Sequence, residues 1–177
     1  MQAAKANGIY IPSLCYLEGI HQYGACRVCM VEVQGFRTLA ASCMVPVKEG
    51  MVIRTNSARV RRARKMNIEL ILSDHPQDCL SCARNNQCEL QKLAAEQGIE
   101  RARFKGEKSA AILDVGPSIT RDTSKCILCR RCVTVCNDIQ KIGVLNAQNR
   151  GFKTVIGPAL GKTMGQVDCT NCGQCTI

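Results

Sequence analysis

Cys126-Ile127-Leu128-Cys129-Arg130-Arg131-Cys132-Val133-Thr134-Val135-Cys136 crowds four thiols into one short stretch. Spacing this tight does not suit an ordinary disulfide framework, but it lets several thiolates wrap around one metal centre. The triad recurs as Cys169-Thr170-Asn171-Cys172-Gly173-Gln174-Cys175, a short internal repeat that predicts two pseudo-equivalent halves. A hairpin around Asn146 to Val155 is expected between them.

Cys-x2-Cys-x2-Cys-x3-Cys is the run of bacterial two-cluster ferredoxins, in which the fourth cysteine ligates the other cluster. Cys136 is therefore expected to complete a [4Fe-4S] site with Cys169, Cys172 and Cys175. By the same rule Cys126, Cys129 and Cys132 call for a cysteine four residues past Cys175. The 177 residues contain none there, so the chain reads as a fragment with one site short of a ligand. Zinc fits poorly, because its sites pair two separated Cys-x2-Cys knuckles and do not exchange a fourth thiolate between triads. Asn137 stands where proline often follows the run, a minor departure.

Two further ligand sets lie upstream. Cys15, Cys26, Cys29 and Cys43 can hold a [2Fe-2S] cluster or a zinc ion. The ten residues between Cys15 and Cys26 exceed the gap of plant-type ferredoxins. Gly24 and Ala25 supply small residues where backbone N–H groups must approach sulfur. In the second set, His75-x3-Cys79-x2-Cys82-x5-Cys88, one imidazole and three thiolates suit either zinc or a cubane. Pro76 biases His75 to an extended backbone at a helix end. A neutral histidine in place of a thiolate removes one negative charge and should ease reduction. His21 has no second ligand at a recognisable spacing and reads as an ordinary loop residue.

Composition agrees with a metal-stapled chain. Aromatic residues make up 3% and Trp is absent, so large apolar anchors are scarce, while cysteine occurs 14 times. Met1 to Ile11 shows no signal-peptide pattern, which makes a reducing cytoplasm the default, and no apolar stretch is long enough for direct membrane insertion. The formal charge of +10 treats every thiol as neutral. Oxidised clusters carry about −2 each, or about −1 with a histidine ligand, and four, one of them a thiolate short, would offset roughly six charges.

The expected class is α+β. Residues 1–56 read as a small unit with a hairpin of Val31-Glu32-Val33 and Arg37-Thr38-Leu39 around Gln34-Gly35-Phe36, and a strand over Met51 to Thr55. Residues 57–100 read as helical. Ser57 caps a helix to about Leu72, with Val60, Ala63, Asn67, Leu70 and Ile71 on one face and Arg59, Arg61, Arg62, Arg64 and Lys65 largely on the others. A second helix is expected from Asn86 to a stop at Gly98. Residues 101–118 read as linker, and 119–177 as the doubled cluster module.

Two other signals carry less. Gly157 to Thr163 resembles a phosphate loop but has three residues between its glycines where the motif needs four. The basic run Arg59 to Lys65 lacks neighbouring aromatics for stacking bases and reads as a solvated or partner-facing helix. A zinc-stapled nucleic-acid-binding module is the competing class. No dinucleotide fingerprint or nucleophile constellation is present, so no catalytic residue is assigned.

The order of the four sets, with Cys79-Leu-Ser-Cys-Ala-Arg-Asn-Asn-Gln-Cys, Thr120-Arg-Asp-Thr-Ser-Lys-Cys, Asn149-Arg-Gly-Phe and Asp168-Cys-Thr-Asn-Cys-Gly-Gln-Cys, resembles the N-terminal iron-sulfur region of NAD(P)-linked iron-only hydrogenase large subunits. Related by the same motifs are NAD-dependent formate dehydrogenase alpha subunits and the G-type subunits of NADH-quinone oxidoreductase. The resemblance implies a [2Fe-2S] site at Cys15, Cys26, Cys29 and Cys43, where the ten-residue gap is the expected one. It also implies a [4Fe-4S] site at His75, Cys79, Cys82 and Cys88 and a two-cluster module after it, one [2Fe-2S] and three [4Fe-4S] clusters in all. The quinone-reductase subunit usually lacks the doubled module, which favours the other two families. The implied fold is a partial beta-grasp unit whose first hairpin would precede Met1, a small helical His/Cys3 unit and a truncated two-cluster ferredoxin-like module. The implied function is a cytoplasmic electron relay. Its expected partners are a diaphorase-like NAD(P)H/flavin subunit, a small [2Fe-2S] subunit and a catalytic domain past Ile177 in the same full-length chain.

Overall fold

The computed structural model describes residues 1–107 and 113–176, which divide into two units. Met1–Ser73 and Gln77–Lys105 form the first; Asp74–Pro76 and the chain from Gly106 onward form the second. Helices mix with small antiparallel sheets throughout, and among the described residues no helix is long and apolar enough to cross a membrane.

In the first unit a short helix α1 (Gln2–Ala6) precedes a sheet of β1 (Met30–Val33), β2 (Ala40–Ala41) and β3 (Ile53–Arg54), in the order β2-β1-β3. Val31 and Val33 alternate inward, as a half-buried strand requires. They pack with Ile11, Ala41, Cys29 and Cys43, so two of the expected ligands belong to the core itself. The hairpin differs from expectation, since β1 pairs with Ala40–Ala41 and not with Arg37-Thr38-Leu39. The Arg37 carbonyl instead accepts from Arg59 Nη2 at 2.9 Å, and the ladder closes further along, where Ser42 N–H donates to the Cys29 carbonyl at 3.1 Å.

Helix α2 (Ala58–Asp74) starts where Ser57 Oγ accepts from Val60 N–H, as its sequence predicts. Its buried face shares Val60 with the expected one and is otherwise rotated from it. Val60, Arg64, Ile68, Glu69 and Ser73 are buried, while Leu70 is exposed. Arg64 sits four residues from both Val60 and Ile68, and the helix carries it inward wherever the sheet offers its guanidinium an acceptor. Glu69 accepts two bonds from Arg103, from Nε at 2.8 Å and Nη2 at 2.5 Å, which holds its carboxyl below the usual range. Helix α3 (Glu89–Glu96) is shorter than expected. Asn86 has φ 62°, outside any right-handed helix, and its N–H donates to Gln91 Oε1. The C-terminus follows the expected stop, with Ile99 N–H returning to the Ala94 carbonyl past Gly98.

In the second unit β4 (Leu113–Val115) pairs with β5 (Thr120–Asp122). This strand lies inside the stretch read as linker, of which residues 108–112 fall outside the described residues. A four-residue helix α4 (Arg131–Thr134) runs directly into a π-turn at Val135–Ile139, and β6 (Asn146–Gln148) and β7 (Val155–Gly157) form the expected hairpin. Buried Asp114 ties these pieces together. It accepts from Met164 N–H at 2.7 Å and from Arg121 at 3.3 Å, and Arg121 also donates to the Ile156 carbonyl. Asp114→Ala would strand a largely buried guanidinium and an amide, at a cost of about 3–5 kcal/mol. A lower urea midpoint is expected for Asp114→Ala, with a smaller loss for Asp114→Asn, which keeps an acceptor oxygen.

Candidate metal centres

Cys15, Cys26, Cys29 and Cys43 are buried and free of disulfides. The Sγ atoms of Cys29 and Cys43 stand 3.4 Å apart. That is far beyond a disulfide of about 2.05 Å, and near the ~3.8 Å edge that two tetrahedral thiolates span on a metal at about 2.3 Å. The β1–β2 register creates this approach by placing Met30 opposite Ala41, close along the chain to each ligand.

Shared protons couple these sulfurs. The hydrogen bond from Cys15 lowers the Cys26 thiol, assisted by N–H groups of Val28, Leu14 and Cys15, while Cys15 itself is raised by holding the proton and by burial. Cys29 is lowered by its bond with Cys43, and Cys43 is raised by that bond, by burial and by the charges of Cys29, Cys15 and Cys26. All four thiols therefore feel one another. They cannot all ionise until a cation joins them, which is the donor chemistry of a thiolate-bound iron-sulfur centre.

The loop Cys26 to Cys29 is shaped locally and braced from α2. Arg27 is left-handed at φ 54°, and Asn67 Nδ2 donates to its carbonyl at 2.6 Å. On the other flank Arg64 Nη2 donates to the Met30 carbonyl at 3.0 Å. Gly24 has φ 61°, and a Cβ there would meet Met44 Cγ at 3.0 Å, so the expected small residue answers both backbone and space. His21, read as an ordinary loop residue, is fully buried and stacks on Tyr23 with ring centroids 5.2 Å apart.

In the second set, Cys79 and Cys82 stand at the start and close of a 3-10 turn, with Cys82 N–H donating to the Cys79 carbonyl. Cys88 takes the position before α3. Gln91 braces this loop by bonding both Asn86 N–H and Asn85 Oδ1. In the second unit, His75 directs Nδ1 to the Pro76 carbonyl at 2.7 Å. In the tautomer that donates from Nδ1, Nε2 presents a lone pair for a metal, the usual arrangement of a ligating histidine.

The two triads share one backbone design. Leu128 and Asn171 occupy equivalent left-handed positions at φ 55° and 54°, and Arg130 and Gly173 do so at 63° and 72°. The N–H groups of Leu128 and Asn171 each lie 3.4 Å from the first sulfur of their triad, Cys126 and Cys169. Alternating handedness turns successive N–H groups inward, an anion-binding nest suited to cluster sulfurs. Cys136 lies in the π-turn, and with Cys132, Cys169, Cys172 and Cys175 it lines a small pocket of about 20 Å³, partly open to solvent. Asn137, the departure from proline, donates to the Val133 and Leu145 carbonyls at 2.8 Å each and so fixes the turn behind Cys136. Burial raises Cys126, Cys175 and Cys132, the last to about 11, while Arg121 pulls all three down.

Among the described residues no three His, Cys, Asp or Glu side chains converge on a single-ion site. What the structure displays is pairs of sulfurs and shaped loops. Sequence reasoning missed the charges of Arg64 and Arg121 that act on these thiols, and only the i±4 spacing of Arg64 with Val60 and Ile68 could have hinted at the first. Gly173→Val places a branched side chain at a left-handed position, at about 1–2 kcal/mol or more. Iron content is expected to fall in that variant and to hold in Arg130→Gly, which relaxes the equivalent position; iron-to-protein ratios check both.

Comparison with known proteins covers nearly the whole chain. Residues 1–58 match a family model of a 2Fe-2S iron-sulfur cluster binding domain, and residues 64–103 that of the NADH-ubiquinone oxidoreductase-G iron-sulfur binding region. Residues 116–174 match the ferredoxin-like domain of NADH-quinone oxidoreductase subunit 3. The chain is 50% identical to NADP-reducing hydrogenase subunit HndD of Solidesulfovibrio fructosivorans over 99% of its own length and 31% of that protein. It is 37% identical to the mitochondrial NADH-ubiquinone oxidoreductase 78 kDa subunit of Neurospora crassa, over 93% of its length and 22% of that protein. It thus spans a third or less of these relatives. A solved NAD+-reducing [NiFe]-hydrogenase chain superposes with a TM-score of 0.86 at 28% identity, covering 95% of this chain and 71% of that one. These likenesses support electron transfer and lend nothing to a nucleic-acid-binding module. Along nearly its whole length the chain is thus similar to the iron-sulfur regions of NAD(P)-linked hydrogenase and NADH-quinone oxidoreductase G-type subunits.

Proposed function

We propose that this chain relays single electrons between an NAD(P)H-oxidising flavin subunit and a hydrogen-activating site elsewhere in its full-length polypeptide. The 50% identity to an NADP-reducing hydrogenase subunit along 99% of the chain carries this reading. Cys15, Cys26, Cys29 and Cys43 would hold a [2Fe-2S] centre, and His75, Cys79, Cys82 and Cys88 a [4Fe-4S] centre. Cys136, Cys169, Cys172 and Cys175 would hold a second [4Fe-4S] centre, and Cys126, Cys129 and Cys132 would contribute to a third. The fit of the crowded, proton-sharing sulfurs and the inward N–H groups supports these assignments. Residues 1–56, 57–100 and 119–177 would be the three cluster-bearing segments.

When bound, the clusters supply one-electron chemistry at potentials that depend on ligand type, hydrogen bonding and burial. The residues of the chain do the rest. Thiolates fix the iron, left-handed loops aim N–H donors at sulfur, and the small core excludes water. Histidine at position 75 lowers the negative charge of its site, which favours the reduced state. The working surroundings would be cytoplasmic, with a small [2Fe-2S] subunit beside the flavin subunit.

The same relay in a quinone-reductase G-type subunit is the second reading, supported by the descriptions of the matched iron-sulfur regions. Both require a nucleotide-oxidising partner. When the cluster-loaded protein is mixed with that partner and NAD(P)H, low-temperature EPR should show reduced [2Fe-2S] and [4Fe-4S] signals. Clusters that dithionite reduces but NAD(P)H with partner leaves oxidised would contradict the relay.

A further inference from the structure

Arg64 breaks the pattern of its helix. It is 5% exposed, yet among the described ion pairs the nearby carboxylate of Glu69 is taken by Arg103. One nitrogen, Nη2, donates to the Met30 carbonyl, while Nε is shut off from solvent with no hydrogen-bond partner among the described residues. Removing a guanidinium from water costs far more than one neutral hydrogen bond returns, so a buried arginine calls for a negative counterpart. The charge of the Cys29 thiolate provides it here and opposes the effect of burial on the guanidinium. Met30, whose carbonyl positions Arg64, directly follows ligand Cys29. The counterpart of this buried cation is thus the sulfur site itself.

We propose that Arg64 sets the potential of the [2Fe-2S] centre, as a fixed cation beside Cys29 that favours the more negative, reduced state. The inference rests on assigning Cys15, Cys26, Cys29 and Cys43 to that centre. Reduction adds one electron and no atom to the oxidised cluster, and the charge it adds is attracted by the nearby guanidinium. Inside a protein that attraction is stronger than across water. The same bond that anchors Arg64 holds its guanidinium at the Met30 carbonyl, one residue along the chain from Cys29. Because arginine stays protonated at every working pH, the preference does not depend on a proton. Arg64 is a positioning residue in this role, acting on the centre without binding iron.

Potentiometric titration followed by EPR on the cluster-loaded protein tests this with Arg64→Gln and Arg64→Lys. At the wild-type midpoint potential, Arg64→Gln is expected to lower the reduced-to-oxidised ratio of the [2Fe-2S] signal at least threefold. The drop should be equal at pH 7 and pH 8. An intact [2Fe-2S] spectrum with a smaller drop, or with a rise, overturns the proposal. If Arg64→Gln takes up no cluster, Arg64→Lys decides. A ratio within threefold of wild type supports a role for charge, whereas a larger drop, or loss of the centre in this variant too, assigns Arg64 to the shape of the loop and overturns it. Absence of any [2Fe-2S] signal from the wild-type protein would instead refute the underlying ligand assignment.

Discussion

Crowded sulfur is the constraint on which the structure depends. Cys29 and Cys43 face each other at 3.4 Å inside the same small core that holds Val31 and Val33. A core this poor in aromatic residues gains little from apolar burial alone, and four buried thiols cannot share one space as thiolates without a cation among them. The sheet register, the turn at Gly24 and the bonds from α2 all serve to hold those sulfurs near one another. In the second unit, burial and neighbouring thiols oppose ionisation in the same way, and Arg121 eases it at Cys126, Cys132 and Cys175.

Backbone handedness turns that constraint into specific sites. Leu128 and Arg130 accept left-handed geometry at a cost glycine would avoid, and Asn171 and Gly173 reproduce it in the second triad. Two unrelated side-chain pairs in one conformation point to a requirement of the loop, namely that N–H groups face sulfur. The π-turn at Val135–Ile139 widens the helix at Cys136, which lines one pocket with Cys132 and with the sulfurs of the second triad.

Much of this was legible in the chain because cysteine spacing is a local signal. The two triads, the hairpin between them, the Ser57 cap and the Gly98 stop all follow from residues within a few positions of one another. Long-range choices were not legible. The partner of β1 depends on Arg59 taking the Arg37 carbonyl, and the inward turn of Arg64 depends on an acceptor far back in the chain, at Met30. Asn86 resembles a helix start, yet Gln91 holds it in a turn. Charge patterning places Arg64 outside because exposed arginine is the rule, and the exception arises where the Met30 carbonyl gives a buried guanidinium an acceptor.

As an electron relay, this chain would hold iron and sulfide on these cysteines. Anaerobic analysis of the purified protein for iron, zinc and acid-labile sulfide tests it most directly. Iron and sulfide are expected in about equal amounts with little zinc, since [2Fe-2S] and [4Fe-4S] cores share that ratio. Zinc bound without acid-labile sulfide would contradict it.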